Sequence, residues 1–453
     1  MTLESWNPAT GKLVEIYPSH DVDEIEARIA MSHETAKKWS RDVSMQERTA
    51  FLLRLADILE QRAEDYARLI TTEMGKPIGE AIAEVNKAAM GARHFADKGP
   101  EYLSDEPIAG LNASVVYQSL GPIFAIMPWN LPFWQVLRFF IPTALAGNTV
   151  LVKHSDSVQG CARALEQLAL DAGAPKGLYL NLAVRRDAVA GIIADPRIKA
   201  ATVTGSTQAG YSVAKAAGEH GKKVVLELGG SDPFLVFEDA DLSKAVPMAV
   251  LSRFSNNSQS CIAAKRILVA DAIYDQFEKA FVKAVKSLSV GDPLDPANKF
   301  GPLARSSVIT DTERQVAAAL EQGGKLLAGG ARLEREGNFY APTVIAGLPH
   351  DAPIAREEFF GPVALLFRFK DEKEAVELAN DSDYGLGATI WTTDSTRANR
   401  VARAVEAGAV FINGFVRSDP RMPFGGVKAS GFGRELGALG IRELTNPKVV
   451  FAE

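Results

Sequence analysis

A cysteine does covalent chemistry when its surroundings favour the thiolate. Cys261 lies in Asn256-Asn257-Ser258-Gln259-Ser260-Cys261-Ile262-Ala263-Ala264-Lys265-Arg266, among small and amide side chains and just ahead of two cations. On that reading the local field favours the thiolate over a free thiol of pKa about 8.5. A lone cysteine is more often a small buried hydrophobe, so a second group is needed to shift the balance. Glu227, in Leu226-Glu227-Leu228-Gly229-Gly230-Ser231-Asp232, ends the apolar run Val224, Val225, Leu226 and is followed by two glycines. A carboxylate at the mouth of a strand, with glycines letting the chain turn away, can act as a general base on water.

Together these stretches resemble the aldehyde dehydrogenase superfamily, which pairs an E-L-G-G glutamate with a cysteine about 34 residues later, the spacing found here. Met127-Pro128-Trp129-Asn130-Leu131-Pro132 matches the family's P-W-N block, and the similarity extends over nearly the whole chain. The resemblance implies that Cys261 adds to an aldehyde, that collapse of the tetrahedral oxyanion expels hydride, and that a thioester remains. It assigns the oxyanion to the Asn130 side-chain amide and the Cys261 backbone amide, worth roughly 3 to 4 kcal/mol per donor in other enzymes. Glu227 is then the base for the hydrolytic water. Glu435, in Ser430-Gly431-Phe432-Gly433-Arg434-Glu435-Leu436-Gly437, falls where the family places a proton relay, although a carboxylate at a helix N-terminus is an equally good reading. Ser258 departs from the pattern, which usually has glycine before Gln259.

A dinucleotide site is expected without its commonest fingerprint, since no G-x-G-x-x-G opens the first strand-to-helix turn. Instead Gly205-Ser206-Thr207-Gln208-Ala209-Gly210 follows the strand candidate Ala200 to Thr204 and opens a helix, whose free amides suit a pyrophosphate, with Ser206 as cap. The glycine spacing also fits a P-loop, but Tyr211 stands where the phosphate lysine belongs. The resemblance places Gly205 and Ser206 at the diphosphate, Trp129 at the cofactor, and Lys153 and Asp156 at the adenosine ribose. In Arg356-Glu357-Glu358-Phe359-Phe360-Gly361-Pro362 it places Glu358 at the nicotinamide ribose and Phe360 beside the ring. An acid accepts bonds from a ribose diol and repels a 2′-phosphate, so Asp156 predicts NAD as the preferred cofactor, with NADP possible. No metal is implied.

For the substrate, Arg138 follows Asn130 by eight residues, where succinate-semialdehyde dehydrogenases hold the distal carboxylate, and Trp134 lies on the same stretch. Ser418 matches their supporting serine. Their second arginine is absent, Ser255 standing in its place, and Arg417 and Arg421 are the nearby cations that can replace it. Lys153-His154 and the Gly230 to Pro233 and Phe411 to Gly414 blocks resemble the bacterial branch of that activity.

The positioning elements follow from pattern. Met45 to Met74 reads as long amphipathic helices. Strand candidates Ile123 to Met127, Thr149 to Lys153, Gly177 to Val184, Ala200 to Thr204 and Lys223 to Glu227 alternate with helices such as Ala162 to Leu170. A second alternating region has strands Phe234 to Phe237, Arg266 to Val269, Val363 to Phe369 and Ala409 to Asn413, with helices Tyr274 to Leu288, Val316 to Gln322 and Lys373 to Ala379. The fold class expected is α/β and aldehyde dehydrogenase-like, with two α/β lobes, a Rossmann-like cofactor domain and a catalytic domain, plus a small β oligomerisation arm. Residues 1–103 and 121–228 are assigned to the NAD(P)-binding domain, 229–430 to the catalytic domain, and 104–120 and 431–453 to oligomerisation or bridging segments. Strands at Ala113 to Gln118 and Pro447 to Phe451 should meet in the arm, in a homodimer or homotetramer.

Bulk properties narrow the classes. A net charge of −6 offers no basic surface for nucleic acid. Two cysteines, Cys161 and Cys261, make no disulfide framework. The apolar runs are too short to span a membrane, and the first residues carry no signal-peptide pattern. A cytoplasmic enzyme acting on a small-molecule aldehyde is expected. The competing readings are a broader-specificity aldehyde dehydrogenase, a CoA-acylating semialdehyde dehydrogenase, which would not need Glu227, and a non-catalytic protein on the same fold.

Overall fold

The computed structural model describes residues 2–453 and joins two largely parallel sheets through the short stretch between Glu227 and Asp232. The first sheet, read across, runs Tyr179–Asn181, Thr149–His154, Pro122–Met127, Ala200–Thr204, Lys223–Glu227, all parallel. The earliest strand is central, and the chain turns to the other side of it between Pro122–Met127 and Ala200–Thr204. Such a reversal opens a crevice at the C-terminal strand ends, where open α/β sheets bind ligands. Trp129, Lys153, Gly205 and Glu227 all lie at those ends. The β-branched and aliphatic runs Ile123 to Ala125 and Val150 to Val152 are fully buried, as two-sided coverage by helices requires.

The expected helical region from Met45 forms two helices, Met45–Gln61 and Ala63–Met74. Ser44 and Glu47 close a capping box at the first, Oγ accepting from the Glu47 amide at 3.2 Å and the Glu47 carboxylate from the Ser44 amide at 2.8 Å. Phe51, Leu52, Leu55 and Leu59 form its buried stripe. Helix Ile78–Tyr102 packs beside them and sends Glu84 to the start of helix Trp134–Leu145. There the carboxylate accepts from the Phe133 and Trp134 amides, both at 2.9 Å, and pairs with the buried Lys76. A negative charge at the helix start complements its dipole, and it fixes the helix that carries Trp134 and Arg138.

The second sheet runs Lys325–Ala328, Thr343–Ala346, Val363–Phe369, Ala264–Ala270, Asp232–Val236, Gly387–Trp391, Ala409–Ile412, antiparallel only at its first pair. It faces the first sheet with its N-terminal strand ends: Cys261 precedes Ala264–Ala270, and Glu358 and Phe360 precede Val363–Phe369. Strand Thr445–Phe451 pairs antiparallel with Ala113–Ser119, Phe451 opposite Ala113, so the two expected arm segments do meet.

Two boundaries differ most from expectation. Only Tyr179–Asn181 of Gly177 to Val184 is regular strand, because the chain beyond it leaves the ladder to bond His20 through the Ala183 carbonyl at 2.8 Å. The helix expected at Val316 begins at Ser306. Its early buried positions include Thr312 and Gln315, polar residues that hide a buried stripe from a hydrophobic scan.

Arg253 is fully buried at the end of helix Leu242–Phe254 with main-chain oxygens as its partners. It donates to Val363 O at 2.8 Å, Phe359 O at 3.0 Å, Ser258 O at 3.2 Å, and Gly361 O. Burial pushes its pKa down to about 9. The guanidinium thus ties the residues before Cys261 to those around Phe360. Arg253→Met removes the donors and leaves carbonyls unpaired, so unfolding free energy should fall by about 3 to 5 kcal/mol. Urea denaturation checks this, and a loss below about 1 kcal/mol would mean that water or a rearranged side chain replaces the guanidinium.

Candidate active site

Cys261 is partly buried in a cleft of about 520 Å³ shared with Trp129, Asn130, Gly205, Ser206, Glu227, Glu358 and Phe360. Its loop is left-handed at three consecutive non-glycine residues, Asn256, Asn257 and Ser258, with φ of 56°, 52° and 67°. Such conformations are costly unless the surroundings enforce them. Asn257 is held by Nδ2 bonds to Gly75 O at 2.8 Å and Pro302 O at 2.9 Å, and Asn256 by Nδ2 bonds to Asn130 O and Gln259 O, both at 2.9 Å. Ser258, where the family pattern has glycine, adopts the conformation glycine favours.

The expected thiolate is not the resting state. Burial pushes the Cys261 thiol up to about 11, outweighing Lys265 and Arg138, which act in the opposite direction. The two cations that suggested activation point elsewhere. Lys265 donates to Ser260 O at 2.9 Å, Cys261 O at 2.7 Å and Glu358 Oε1 at 3.1 Å. Arg266 donates to Ser231 O, Leu378 O and Ala379 O.

Asn130 is buried, and its Nδ2 donates to Gln259 O at 2.9 Å, which leaves one amide hydrogen unspent beside the cysteine loop. Glu227 is 2 % exposed, and neither carboxylate oxygen has a partner. Its pKa is raised well above the ordinary value, first by burial and then by Glu435. Glu435 is also raised by burial, but the ion pair with Arg138 opposes the rise. Of the two carboxylates only Glu435 has a bonded cation, which favours its ionised form over that of Glu227. Glu435 precedes the helix Gly437–Glu443 by two residues, and its carboxylate is directed to Arg138.

That pairing changes the reading of Arg138. Expected as a substrate anchor separate from the proton relay, it is joined to the relay candidate through Nε, lies 4.6 Å over the Phe424 ring, and keeps Nη2 buried and unpartnered. Neither arginine offered as its partner cation bonds Ser418. Arg421 is held by Asp419 at 2.8 and 2.6 Å, and Arg417 lies over the Phe411 and Phe415 rings. The cation at Ser418 is Lys87, which the sequence reading missed: Nζ donates to Ser418 Oγ at 2.8 Å, and Trp134 Nε1 donates to the same oxygen at 2.8 Å. Its one available signal was a lysine on the helix that also carries Glu84.

The remaining residues fit a dinucleotide. Ser206 caps helix Thr207–Glu219, Oγ accepting from the Ala209 amide at 3.3 Å, so the helix start faces the cleft. Lys153 is buried and donates to Asp156 Oδ1 at 3.0 Å. Arg305, also missed, donates to Ser157 Oγ at 2.8 Å and to Ser155 Oγ, and it lies 5.5 Å from the Trp129 ring centroid. Trp129 and Phe360 meet edge to face at 5.7 Å. Glu358 Oε1 accepts from Lys265 and the Gly230 amide, both at 3.1 Å, which leaves Oε2 free to accept a ribose hydroxyl. Thr204 Oγ1, buried and without a partner, also lines the cleft.

A cysteine, a buried glutamate with no partner and a capped helix start around one cleft suit an oxidoreductase that works through a covalent thioester. The chain belongs to the aldehyde dehydrogenase family, whose model matches residues 1–450. It is 47 % identical over 453 residues, all of both chains, to a probable succinate-semialdehyde dehydrogenase [NADP(+)] of Synechocystis sp.. It is 45 % identical to a succinate semialdehyde dehydrogenase [NAD(P)+] of Escherichia coli K12, covering 99 % of this chain and 97 % of the relative. The crystal structure of succinic semialdehyde dehydrogenase from Streptococcus pyogenes with NADP+ superposes with a TM-score of 0.97, at 37 % identity over 99 % of both chains.

A thiol held near 11 should react slowly with iodoacetamide at neutral pH in the free enzyme, and the rate should climb about tenfold per pH unit toward that value. Stopped-flow alkylation against pH checks this, and a plateau below pH ~8 would restore the resting thiolate.

Proposed function

We propose that this enzyme oxidises succinate semialdehyde, or a close ω-oxo acid, to the dicarboxylic acid with NAD(P). The observation that carries the reading is a buried cationic cluster on and beside the helix that follows Asn130, where Lys87 bonds no carboxylate among the described residues and shares Ser418 Oγ with Trp134, and Arg138, paired with Glu435 through Nε, keeps Nη2 unpartnered. A neutral aldehyde chain gives no return on keeping two cations there. The names of the relatives agree with this.

Bound NAD(P)+ supplies the hydride acceptor and a positive charge that favours the thiolate. The Cys261 thiol gives its proton to ionised Glu227, which releases it to solvent before the second step; Sγ then adds to the aldehyde carbon, and the Cys261 amide with the unspent Asn130 hydrogen receives the oxyanion. Departure of hydride leaves the thioester on Cys261. Glu227 then takes a proton from water, which attacks the acyl carbon and releases the acid and the thiol. Its raised pKa suits it to accept a proton near neutral pH, and Glu435, held by Arg138, is placed to carry the proton onward. Glu227 favours water over a CoA thiol as the acyl acceptor.

Asp156 supports NAD as the better cofactor, although the relatives above are named for NADP or NAD(P), and Lys153 and Arg305 beside it soften the repulsion of a 2′-phosphate. A second copy of the chain is the natural cover for the arm. Strand Thr445–Phe451 is paired on one edge only and exposes Val449, Val450 and Phe451, an edge that invites pairing. Both cysteines are free, which fits the cytoplasm.

Succinate semialdehyde should exceed butanal in kcat/KM by at least about tenfold. With the same assay NAD should exceed NADP, and Asp156→Ser should move that ratio toward NADP by roughly tenfold. Equal kcat/KM for the two aldehydes would overturn the substrate reading, and a wild-type preference for NADP the cofactor reading. Glu227→Gln should release at most one NADH per site in rapid mixing, followed by turnover slowed about 10² to 10⁴-fold. An unchanged steady-state rate would remove Glu227 from the role of base.

A further inference from the structure

We propose that Lys87 is a specificity-determining residue that, with the hydroxyl of Ser418, binds the distal carboxylate of the substrate. The inference rests on the substrate reading above and adds a residue to it.

Ser418 Oγ accepts from Lys87 Nζ at 2.8 Å and from Trp134 Nε1 at 2.8 Å. A hydroxyl has two acceptor sites and one hydrogen. With both acceptor sites taken by N–H donors, the O–H must itself donate, and no protein acceptor for it is found among the described residues. A hydroxyl forced to donate, next to an ammonium with spare hydrogens, is the polarity an anion needs.

Lys87 lies 4.6 Å over the Trp134 ring and bonds no carboxylate. The nearby acids are otherwise engaged: Glu84 with Lys76 and the Phe133 and Trp134 amides, Asp419 with Arg421. Arg138 and Arg417 add positive charge, and burial with this repulsion lowers the Lys87 pKa to about 8. An ammonium kept in such a place without a carboxylate partner costs stability that an arriving carboxylate recovers.

Trp134 and Arg138 are one helical turn apart on helix Trp134–Leu145, on the same face. Gln135, the next residue of that helix, and Asn130 just before it line the cleft that holds Cys261. Lys87 over the Trp134 ring and Ser418 on its indole N–H therefore sit on the helix that leads out of the cleft.

The experiment compares kcat/KM for succinate semialdehyde and butanal in wild type, Lys87→Met and Lys87→Arg. Lys87→Met should lower the ratio of the two by about 10 to 150-fold, the range for one charge-assisted hydrogen bond, and Lys87→Arg should restore most of it. A ratio unchanged in Lys87→Met would overturn the assignment while leaving the substrate reading intact. A wild type with no preference for the charged aldehyde would overturn both. Should Lys87→Met fail to fold, the Ki of succinate against butanal in wild type and Lys87→Gln replaces it. Competitive inhibition weakened at least threefold in Lys87→Gln supports a carboxylate at residue 87, and an identical Ki overturns it.

Discussion

Cations satisfied by main-chain carbonyls hold the nucleophile loop in place. Arg253 reaches Ser258, Phe359, Gly361 and Val363, Lys265 reaches Ser260 and Cys261, and Arg266 reaches Ser231, Leu378 and Ala379. Each carbonyl is a weak partner, but several together replace the water that a buried cation has lost. The left-handed run Asn256 to Ser258 depends on this clamp, as does the placement of Glu358 opposite Cys261. The loop is therefore shaped by electrostatics more than by packing.

The same economy of charge assigns roles to the two buried carboxylates. Glu227 and Glu435 are both removed from water, and the difference between them is Arg138. One cation placed on one side of a carboxylate pair makes one member the readier anion and the other the readier proton acceptor without any change in residue type.

Much of this was legible in the sequence. Strands Ala200–Thr204 and Lys223–Glu227, the arm pairing, and the gathering of Cys261, Glu227, Asn130, Glu358 and Phe360 around one cleft all follow from pattern and resemblance. What pattern could not supply was the direction of long charged side chains. Lys265 and Arg266 looked like thiolate partners because they adjoin Cys261 in sequence, yet both turn to carbonyls. Arg138 looked like a free anchor, and its ion-pair partner lies 297 residues away. Lys87 drew no reading, because nothing local marks a lysine whose neighbours Ser418 and Trp134 come from distant segments. The desolvation that lifts Cys261 to about 11 is likewise a property of the assembled cleft.

The glycine pair between the two sheets bears on how this fold can be recombined. A Cβ on Gly229 would stand 2.4 Å from Glu358 Oε2, and one on Gly230 would stand 2.6 Å from Cys261 O. Glu227 belongs to the last strand of one sheet and Cys261 to the loop entering the next, so a chimera cut at this joint takes its base from one parent and its nucleophile from the other. With no space for even a methyl group, the joint has no slack to absorb a mismatch between parental backbones. Crossovers that preserve function should accordingly fall outside the segment from Glu227 to Cys261, which behaves as one heritable unit although it spans two sheets.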